Sequence, residues 1–221
     1  KVKIDIPYKG LRPLDESDAP IFFGRTLETL DIQTRINHKH FVAILGASGS
    51  GKSSLVMAGV LPKLREQGWR IIQFVPSYKP FYQLAMAMIS QIPEFDIPKT
   101  HYLSEAKQLE IILKEESDNI IDQLRMVLPN QRILIFIDQF EELFTLAEKE
   151  NREDVKSFIE AIHTQTKDIT VIITMRADFY ENALVYLDEF RQDLYGLKKP
   201  SVFALYEMIT RPAQEAGFTL D

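Results

Sequence analysis

The stretch FVAILGASGSGKSSL, residues 41–55, passes directly from an apolar run of strand length into a glycine-rich segment that ends in lysine and two serines. Residues 46–53 satisfy the pattern G-x-x-x-x-G-K-[ST] in full. Glycines let the backbone curl so that successive N–H groups point at phosphate oxygens. A helix beginning at about Lys52 directs its positive dipole end at the same anion. The alternative is a plain Gly/Ser turn, but a chance match is expected in only about one chain in a hundred of this length. The stretch therefore predicts a nucleotide phosphate site.

The residues that close this motif have separate expected roles. Lys52 can reach the β- and γ-phosphates and is therefore also a catalytic candidate, and the Ser53 hydroxyl can ligate Mg²⁺. The residues of this stretch that we expect to contact the nucleotide are Gly46, Ala47, Ser48, Gly49, Ser50, Gly51, Lys52, Ser53 and Ser54.

A second anchor for a metal-bound triphosphate is found in ILIFIDQFEELF, residues 133–144. Asp138 falls where the apolar strand ends, so its carboxylate can hold Mg²⁺ through the water shell of the ion. Glu141 and Glu142 follow three and four residues later, and either one can orient or deprotonate the attacking water. The alternative is a buried strand followed by an acidic helix N-terminus. The choice between the two glutamates stays open.

Arg176 lies just past the end of the next apolar strand, in VIITMRADFY at residues 171–180. Ligands of open α/β sheets bind at this carboxyl edge of the strands. An arginine there can sense the γ-phosphate or stabilise charge during its transfer. The alternative interpretation is an ordinary salt bridge, with Asp178 as the partner.

Strand-length apolar runs alternate with segments of helical spacing along the chain. The alternation predicts a three-layer α/β domain with right-handed crossovers. We expect helices over 52–67, kinked at Pro62, and over 81–91, and two helices separated near 117–119. We divide the chain into an arm or linker (1–20), a core (21–205) and the beginning of a further helical element that the chain end cuts short (206–221). The predicted strands are 41–45, 71–75, 132–137, 169–174 and 201–205.

Composition excludes several classes of protein. The chain of 221 residues has no cysteine, so it has no disulfide framework and no thiolate metal site, and a reducing cytoplasm is the expected location. No apolar stretch is long enough to cross a bilayer, and no signal peptide is visible. The net charge of −6 repels nucleic acid. The small basic group His38, Lys39 and His40 is interpreted as a solvated helix end.

Five segments together resemble the STAND class of P-loop NTPases (signal-transduction ATPases with numerous domains), and most closely the bacterial novel STAND NTPases often fused to β-propeller repeats. The resemblance implies an AAA+-like P-loop core whose five-stranded parallel sheet has the order 5-1-4-3-2, followed by a helical lid. Leu14 stands where the family often has an aromatic residue. The segments are PYKGLRPLDESDAPIFFGR (7–25), GASGSGKSSLVMAGVLPKL (46–64), DQFEELFT (138–145), RADFY (176–180) and RPAQEAG (211–217).

The resemblance also implies where the rest of the nucleotide lies. The segment FFGR, with Phe22, Phe23, Gly24 and Arg25, is expected over the adenine and ribose, although core packing is the alternative for the two phenylalanines. Related lids bring a proline toward the base, and Pro212 is the candidate. The implied ligands are ATP or ADP with Mg²⁺.

The function that the resemblance implies is a molecular switch that binds ATP and hydrolyses it slowly. Such a switch controls nucleotide-dependent oligomerisation in bacterial signalling or anti-phage defence. We expect self-association, no membrane contact, and fused effector or sensor domains before Lys1 or after Asp221. A fragment ending at Asp221 is expected to hydrolyse ATP slowly or not at all.

Three alternatives stay open. A DNA-associated AAA+ remodelling ATPase predicts a basic face, which the acidic balance disfavours. A small-molecule kinase needs an arginine-rich lid, whereas residues 79–128 contain few arginines. A non-hydrolysing, nucleotide-stabilised interaction module would not need Glu141, Glu142 and Arg176.

Overall fold

The computed structural model describes residues 7–115, 119–145, 152–165, 169–185 and 194–218. At its centre lies a parallel sheet in the order β2-β3-β4-β1-β5. This is the order 5-1-4-3-2 read from the opposite edge, so the predicted topology is confirmed. The strands are β1 (Phe41–Gly46), β2 (Arg70–Phe74), β3 (Ile133–Ile137), β4 (Thr170–Arg176) and β5 (Leu194–Gly196).

Helices cover both faces of the sheet, which is why its central strands are near-continuous apolar runs. Every residue of β3 is buried. The α-helices are α1 (Thr26–His38), α2 (Lys52–Ser54), α3 (Leu61–Glu66), α4 (Pro80–Gln91), α5 (Tyr102–Glu115), α6 (Asn119–Val127), α7 (Glu142–Thr145), α8 (Arg152–Gln165), α9 (Tyr180–Leu184) and α10 (Val202–Glu215). None of the described helices has the length and apolar content needed to cross a membrane.

Alternate side chains of each central strand enter two different cores. Phe41 and Ala43 of β1 join one core with helices α4, α5, α6 and α8. Val42 and Ile44 join the other core with α1 and the helical segment after the glycine-rich loop. The sheet is thus held from both sides, and its carboxyl edge is a rigid platform for the loops that follow the strands.

The segment after the glycine-rich loop is not one kinked helix as predicted. A π-helical stretch, Leu55–Val60, separates α2 from α3, and Pro62 lies in the first turn of α3, where its missing N–H costs little. Gly59 lies within the π-helical stretch. A Cβ there would lie 2.7 Å from the Phe22 ring and 2.8 Å from Thr29 Oγ1. The missing side chain therefore lets the chain before α1 pack closely against this segment.

The predicted fifth strand at 201–205 is wrong. Ser201 caps α10 by accepting the Ala204 N–H, and Val202 begins the helix. The fifth strand is the short segment Leu194–Gly196, which pairs with Ala43–Leu45 of β1. The division that we placed after residue 205 therefore falls inside α10. Similarly, the stretch up to residue 20 is not all irregular, because a 3₁₀ helix spans Glu16–Ile21.

Candidate functional site

Three polar segments meet at the carboxyl edge of the sheet because β1, β3 and β4 are parallel. The glycine-rich loop follows β1, Asp138 follows β3, and Arg176 ends β4. Gly46 and Arg176 are register partners across the β1–β4 pair. Asp138 donates its backbone N–H to Phe74 O of β2 at 2.9 Å, which fixes the end of β3. The edge thus gathers residues from distant parts of the sequence.

The loop at 46–51 has the conformation of an anion cradle. Gly49 and Gly51 have φ values of 70° and 86°, in the left-handed region that favours glycine. A Cβ on either would meet no atom within 4 Å, so backbone conformation rather than packing requires glycine there. Ser50 Oγ is buried in this loop without a hydrogen-bond partner in the described part of the chain. The cradle fits a phosphate, which takes N–H and O–H donors of this kind.

Lys52 lies against the inside of this loop and is only 9% exposed. Its Nζ donates to Gly46 O at 3.1 Å and to Ala47 O at 2.9 Å. Burial lowers the pKa of Lys52, while the charges of Glu141 and Asp138 oppose that change. A phosphate oxygen is a stronger acceptor for an ammonium than these neutral carbonyls, so the lysine is placed to bind one.

Ser53 and Asp138 are hydrogen-bonded although 85 residues separate them. Ser53 Oγ donates to Asp138 Oδ1 at 2.8 Å, and the aspartate is 7% exposed. The serine oxygen keeps its lone pairs, so it can ligate a metal while it still donates this proton. A hydroxyl and a carboxylate are the hard oxygen donors that Mg²⁺ takes. In the described ranges, no group of three or more His, Asp or Glu side chains could hold a metal ion by itself. Phosphate and water oxygens would have to complete the shell.

Thr174 is a site residue that sequence reasoning missed. Its hydroxyl donates to Asp138 Oδ1 and accepts the Gln139 backbone N–H at 3.1 Å. Thr174 is 1% exposed, and Gln139 has a left-handed φ of 55°. The threonine thus holds both the aspartate and the turn that follows it. The available signal was a hydroxyl near the carboxyl end of a strand whose central residues are apolar.

The two glutamates occupy different surroundings. Glu141 Oε2 accepts the Arg176 backbone N–H at 3.2 Å, and Glu141 is the strongest of the carboxylates acting on Lys52. Glu142 begins α7, and its pKa is raised by burial and then by the nearby Glu141 and Asp138 charges. Glu141 is therefore the glutamate that a described hydrogen bond ties to β4 and whose charge acts on Lys52.

The Arg176 side chain forms the salt bridge that the alternative interpretation expected. Its Nη2 and Nε lie 2.6 and 3.1 Å from the Asp178 carboxylate oxygens, and the guanidinium lies 5.3 Å from the centroid of the Phe179 ring. This hydrogen bond raises the pKa of Arg176. The arginine stands at the correct edge of the sheet, but its side chain is engaged with Asp178.

A cavity of about 490 Å³ opens beside the glycine-rich loop. Its walls come from the loop, from the chain before α1, and from the chain around the start of α10. Sequence reasoning did not assign Leu14, Ile21, Lys199, Pro200 or Met208 to the site. The lining residues are Leu14, Ile21, Phe22, Phe23, Arg25, Ala47, Ser48, Gly49, Ser50, Gly51, Ser54, Lys199, Pro200 and Met208.

The FFGR segment contacts both the cavity and α10. Phe22 and Phe23 line the cavity, and Arg211 of α10 lies 4.3 Å from the centroid of the Phe23 ring. Gly24 has a φ of 75° and touches α10 rather than the cavity, since a Cβ would lie 2.4 Å from Ala204 O. The segment therefore joins the cavity wall to the last helix.

Arg25 lines the cavity, is 4% exposed, and donates hydrogen bonds to three surrounding segments. It donates to Ser50 O at 3.4 Å, to Lys198 O at 3.0 Å and to Glu28. Because these acceptors belong to the glycine-rich loop, the segment before α10 and α1, the arginine ties the three together. Ribose contact stays a prediction.

Pro212 is buried in α10 but does not line the cavity. Met208, one turn earlier, is the residue of that helix that does. Ser54 lines the cavity, and its Oγ accepts the Leu14 backbone N–H at 3.0 Å.

A family model described as novel STAND NTPase 1 matches residues 7–221. Among solved structures, the Walker-type ATPase PABY2304 of Pyrococcus abyssi superposes with a TM-score of 0.62 and 16% identity, over 96% of this chain and 63% of that one. The ORC1 protein of Aeropyrum pernix, in complex with DNA, gives 0.59 at 11% identity, over 90% of this chain and 51% of that one.

The ADP form of the ORC2 protein of Aeropyrum pernix gives a TM-score of 0.55 at 13% identity, over 95% of this chain and 55% of that one. The chain thus spans less than two thirds of the length of these structures. At such identities the likeness concerns the fold. No curated protein matched the sequence.

Proposed function

Because this chain belongs to the novel STAND NTPase 1 family, we propose that it binds ATP together with Mg²⁺ and hydrolyses the nucleotide slowly. The observation that carries the proposal is the 2.8 Å hydrogen bond from Ser53 to Asp138 beside a glycine-rich loop that encloses a buried lysine. A hydroxyl beside the loop that follows β1 and a carboxylate at the end of β3 are the pair that a magnesium–triphosphate complex requires.

Each proposed role follows from a contact at this edge. The N–H groups of the glycine-rich loop bind the phosphates, and Lys52 moves from the loop carbonyls to the β- and γ-phosphate oxygens. Ser53 and Asp138 would hold Mg²⁺, which supplies charge neutralisation for the triphosphate. Glu141, held by the Arg176 amide, orients the attacking water.

The cavity beside the loop is the proposed site of the base and ribose. Leu14, Ile21 and Met208 give it apolar walls, and Phe22 and Phe23 offer aromatic surface for a nucleobase. Adenine is the proposed base because the family resemblance favours it. Competition between ATP and GTP for a fluorescent nucleotide analogue would measure this preference.

Slow turnover is proposed because the Arg176 guanidinium is engaged with Asp178 in the described structure. The arginine must exchange this carboxylate for the γ-phosphate before it can stabilise charge during transfer.

We further propose that the nucleotide controls self-association of the full-length protein in the bacterial cytoplasm, in signalling or anti-phage defence. Fused effector or sensor domains would act alongside this module.

The experiment that tests nucleotide binding is a thermal-shift measurement on Lys52→Ala. The wild-type melting temperature should rise by about 5 °C or more at nucleotide concentrations near a hundred times Kd, since the ligand stabilises only the folded state. Lys52→Ala should abolish this rise. Lys63→Ala, an exposed lysine on α3, is the matched control and should keep it. An unchanged rise in Lys52→Ala would contradict the role of this lysine.

DNA binding is the alternative that one neighbour raises, since the ORC1 structure contains DNA. Its 11% identity supports a shared fold alone, and the chain carries a net charge of −6. Salt-dependent retention of duplex DNA on a filter would favour the remodelling function over the switch.

A further inference from the structure

The segment from Tyr8 to Asp15, here called the strap, is held at its carboxyl end by the 3₁₀ helix Glu16–Ile21. Asp15 caps the 3₁₀ helix that follows, in a reciprocal capping box with Asp18. Asp18 is 4% exposed, and Arg12 and Lys9 of the strap lie 2.7 and 3.7 Å from its carboxylate oxygens. The pairing of this buried carboxylate with two cations of the strap holds the strap against the 3₁₀ helix that follows it.

Leu14 of the strap contributes to the cavity beside the glycine-rich loop. The Leu14 backbone N–H donates to Ser54 Oγ at 3.0 Å. Ser54 directly follows Ser53, which is hydrogen-bonded to Asp138. The Leu14 side chain lines the same cavity as the glycine-rich loop. A molecule in this cavity would therefore contact the strap as well as the loop.

The tip of the strap reaches the last helix. The Tyr8 hydroxyl donates to the Ile209 carbonyl of α10, and Tyr8 is otherwise 48% exposed. Ile209 follows Met208, which lines the cavity from the α10 side. Between these two attachments, Gly10 has a φ of 67° and open space around it. The strap thus contacts α2 through Leu14 and α10 through Tyr8.

We propose that this strap is a nucleotide-responsive tie that holds α10 against the glycine-rich loop, with Leu14 as its contact to the bound nucleotide and Tyr8 as its contact to the helix. The inference rests on the proposed function, because it takes the cavity occupant to be a nucleotide. Binding in a cavity with walls from three segments stabilises the contacts among them, and by linkage those contacts strengthen binding.

Hydrogen exchange read by mass spectrometry tests the strap in the whole 221-residue chain. A non-hydrolysable ATP analogue with Mg²⁺ should slow exchange of the amides at 9–14 by about tenfold, since bonded and covered amides open less often. Helix α5 contributes no residue to the cavity or to the strap. Its exchange should not change, and it is the internal reference.

Tyr8→Phe removes only the hydroxyl that reaches α10. The nucleotide-dependent slowing at 9–14 and in α10 should fall to less than about twofold, while nucleotide still raises the melting temperature. If the contact is merely structural, its loss would speed exchange equally with and without nucleotide. The ratio of the exchange rates without and with nucleotide would then be the same as in wild type. Tyr78→Phe, a similarly exposed tyrosine, is the control and should match wild type.

Two failures are distinguishable. If the analogue stabilises the wild-type chain but exchange at 9–14 is unchanged, or if Tyr8→Phe keeps the full slowing, the strap is contradicted and nucleotide binding stands. If the analogue does not stabilise the wild-type chain, both the proposed function and the strap are overturned.

Discussion

At the scale of single residues, the carboxylate of Asp138 organises the site. Its Oδ1 atom accepts from Ser53 of α2 and from Thr174 of β4, so one oxygen joins two segments. Groups that hold a metal-binding carboxylate in this way set its orientation, and their loss commonly weakens metal affinity by about 10–100-fold. Ser53 is the proposed metal ligand, and Thr174 is the residue that positions the aspartate.

Thr174→Val tests this positioning role, because valine keeps the shape and removes the hydroxyl. The Mg²⁺ concentration that gives half of the ATP-dependent rise in melting temperature should increase about tenfold. The melting temperature without nucleotide should also fall, because the Gln139 N–H loses its acceptor. Thr174→Ser keeps the hydroxyl and should restore the Mg²⁺ requirement. An unchanged requirement in Thr174→Val would mean that the threonine is only structural.

The two glutamates give a second prediction. Glu141→Gln should bind ATP as tightly as wild type but release phosphate about 100-fold more slowly, the scale expected for loss of a positioned acid–base group. Glu142→Gln should slow release by less than about tenfold, because Glu142 has no described contact with β4. The measurement is steady-state phosphate release with thermal shift as the binding control. The reverse ranking would assign the water-orienting role to Glu142.

The glycine-rich loop and Asp138 could be proposed from the sequence as parts of one site because their signals are local, and the structure brings them together. Loop spacing and the end of an apolar strand each lie within a few positions. Thr174 could not be identified in the same way, since its importance depends on contact with a residue 36 positions away. The same holds for Leu14 and Met208, which enter the cavity through tertiary packing.

At the scale of elements, β5 and α10 show what local patterns do not determine. SVFAL at 201–205 is apolar and strand-sized, yet Ser201 caps a helix there. The edge strand β5 is only three residues long, and its pairing with Ala43–Leu45 of β1 defines it. Pairing of this kind is non-local, so a short edge strand carries little signal of its own. The four longer strands were identified within one or two residues, because their apolar runs are longer.

The contact between Gly24 and α10 leads to a prediction about this helix. Gly24→Ala places a Cβ 2.4 Å from Ala204 O, so α10 must shift from the cavity. Nucleotide affinity should fall at least about tenfold, which corresponds to roughly 1.4 kcal/mol. Fluorescence titration with a nucleotide analogue measures it.

Gly217→Ala is the matched control for this substitution. Gly217 has a φ of 85° but nothing within 4 Å of a built Cβ, so alanine there brings the same backbone strain without the clash. Affinity should stay within about twofold of wild type. Equal losses in the two variants would contradict a specific role for the Gly24 contact.

At the scale of the whole molecule, a sheet covered on both faces presents one carboxyl edge where four segments meet. The glycine-rich loop, Asp138, Arg176 and the strap approach that edge from parts of the chain that are far apart in sequence. Fold class was predictable from the hydrophobic periodicity, and the strand order from the family resemblance. The attachment of the strap and α10 to the site could not be predicted, because it depends on single hydrogen bonds and on the close approach of Gly24 to Ala204.

A crystal structure with a non-hydrolysable ATP analogue and Mn²⁺ in place of Mg²⁺ tests the central claim most directly. Anomalous scattering locates the metal independently of the protein. The account predicts a peak about 2.1 Å from Ser53 Oγ and from phosphate oxygens, with Asp138 bound directly or through one water, and the triphosphate enclosed by the loop at 46–51. A metal peak remote from Ser53 and Asp138, or a triphosphate outside that loop, would contradict it.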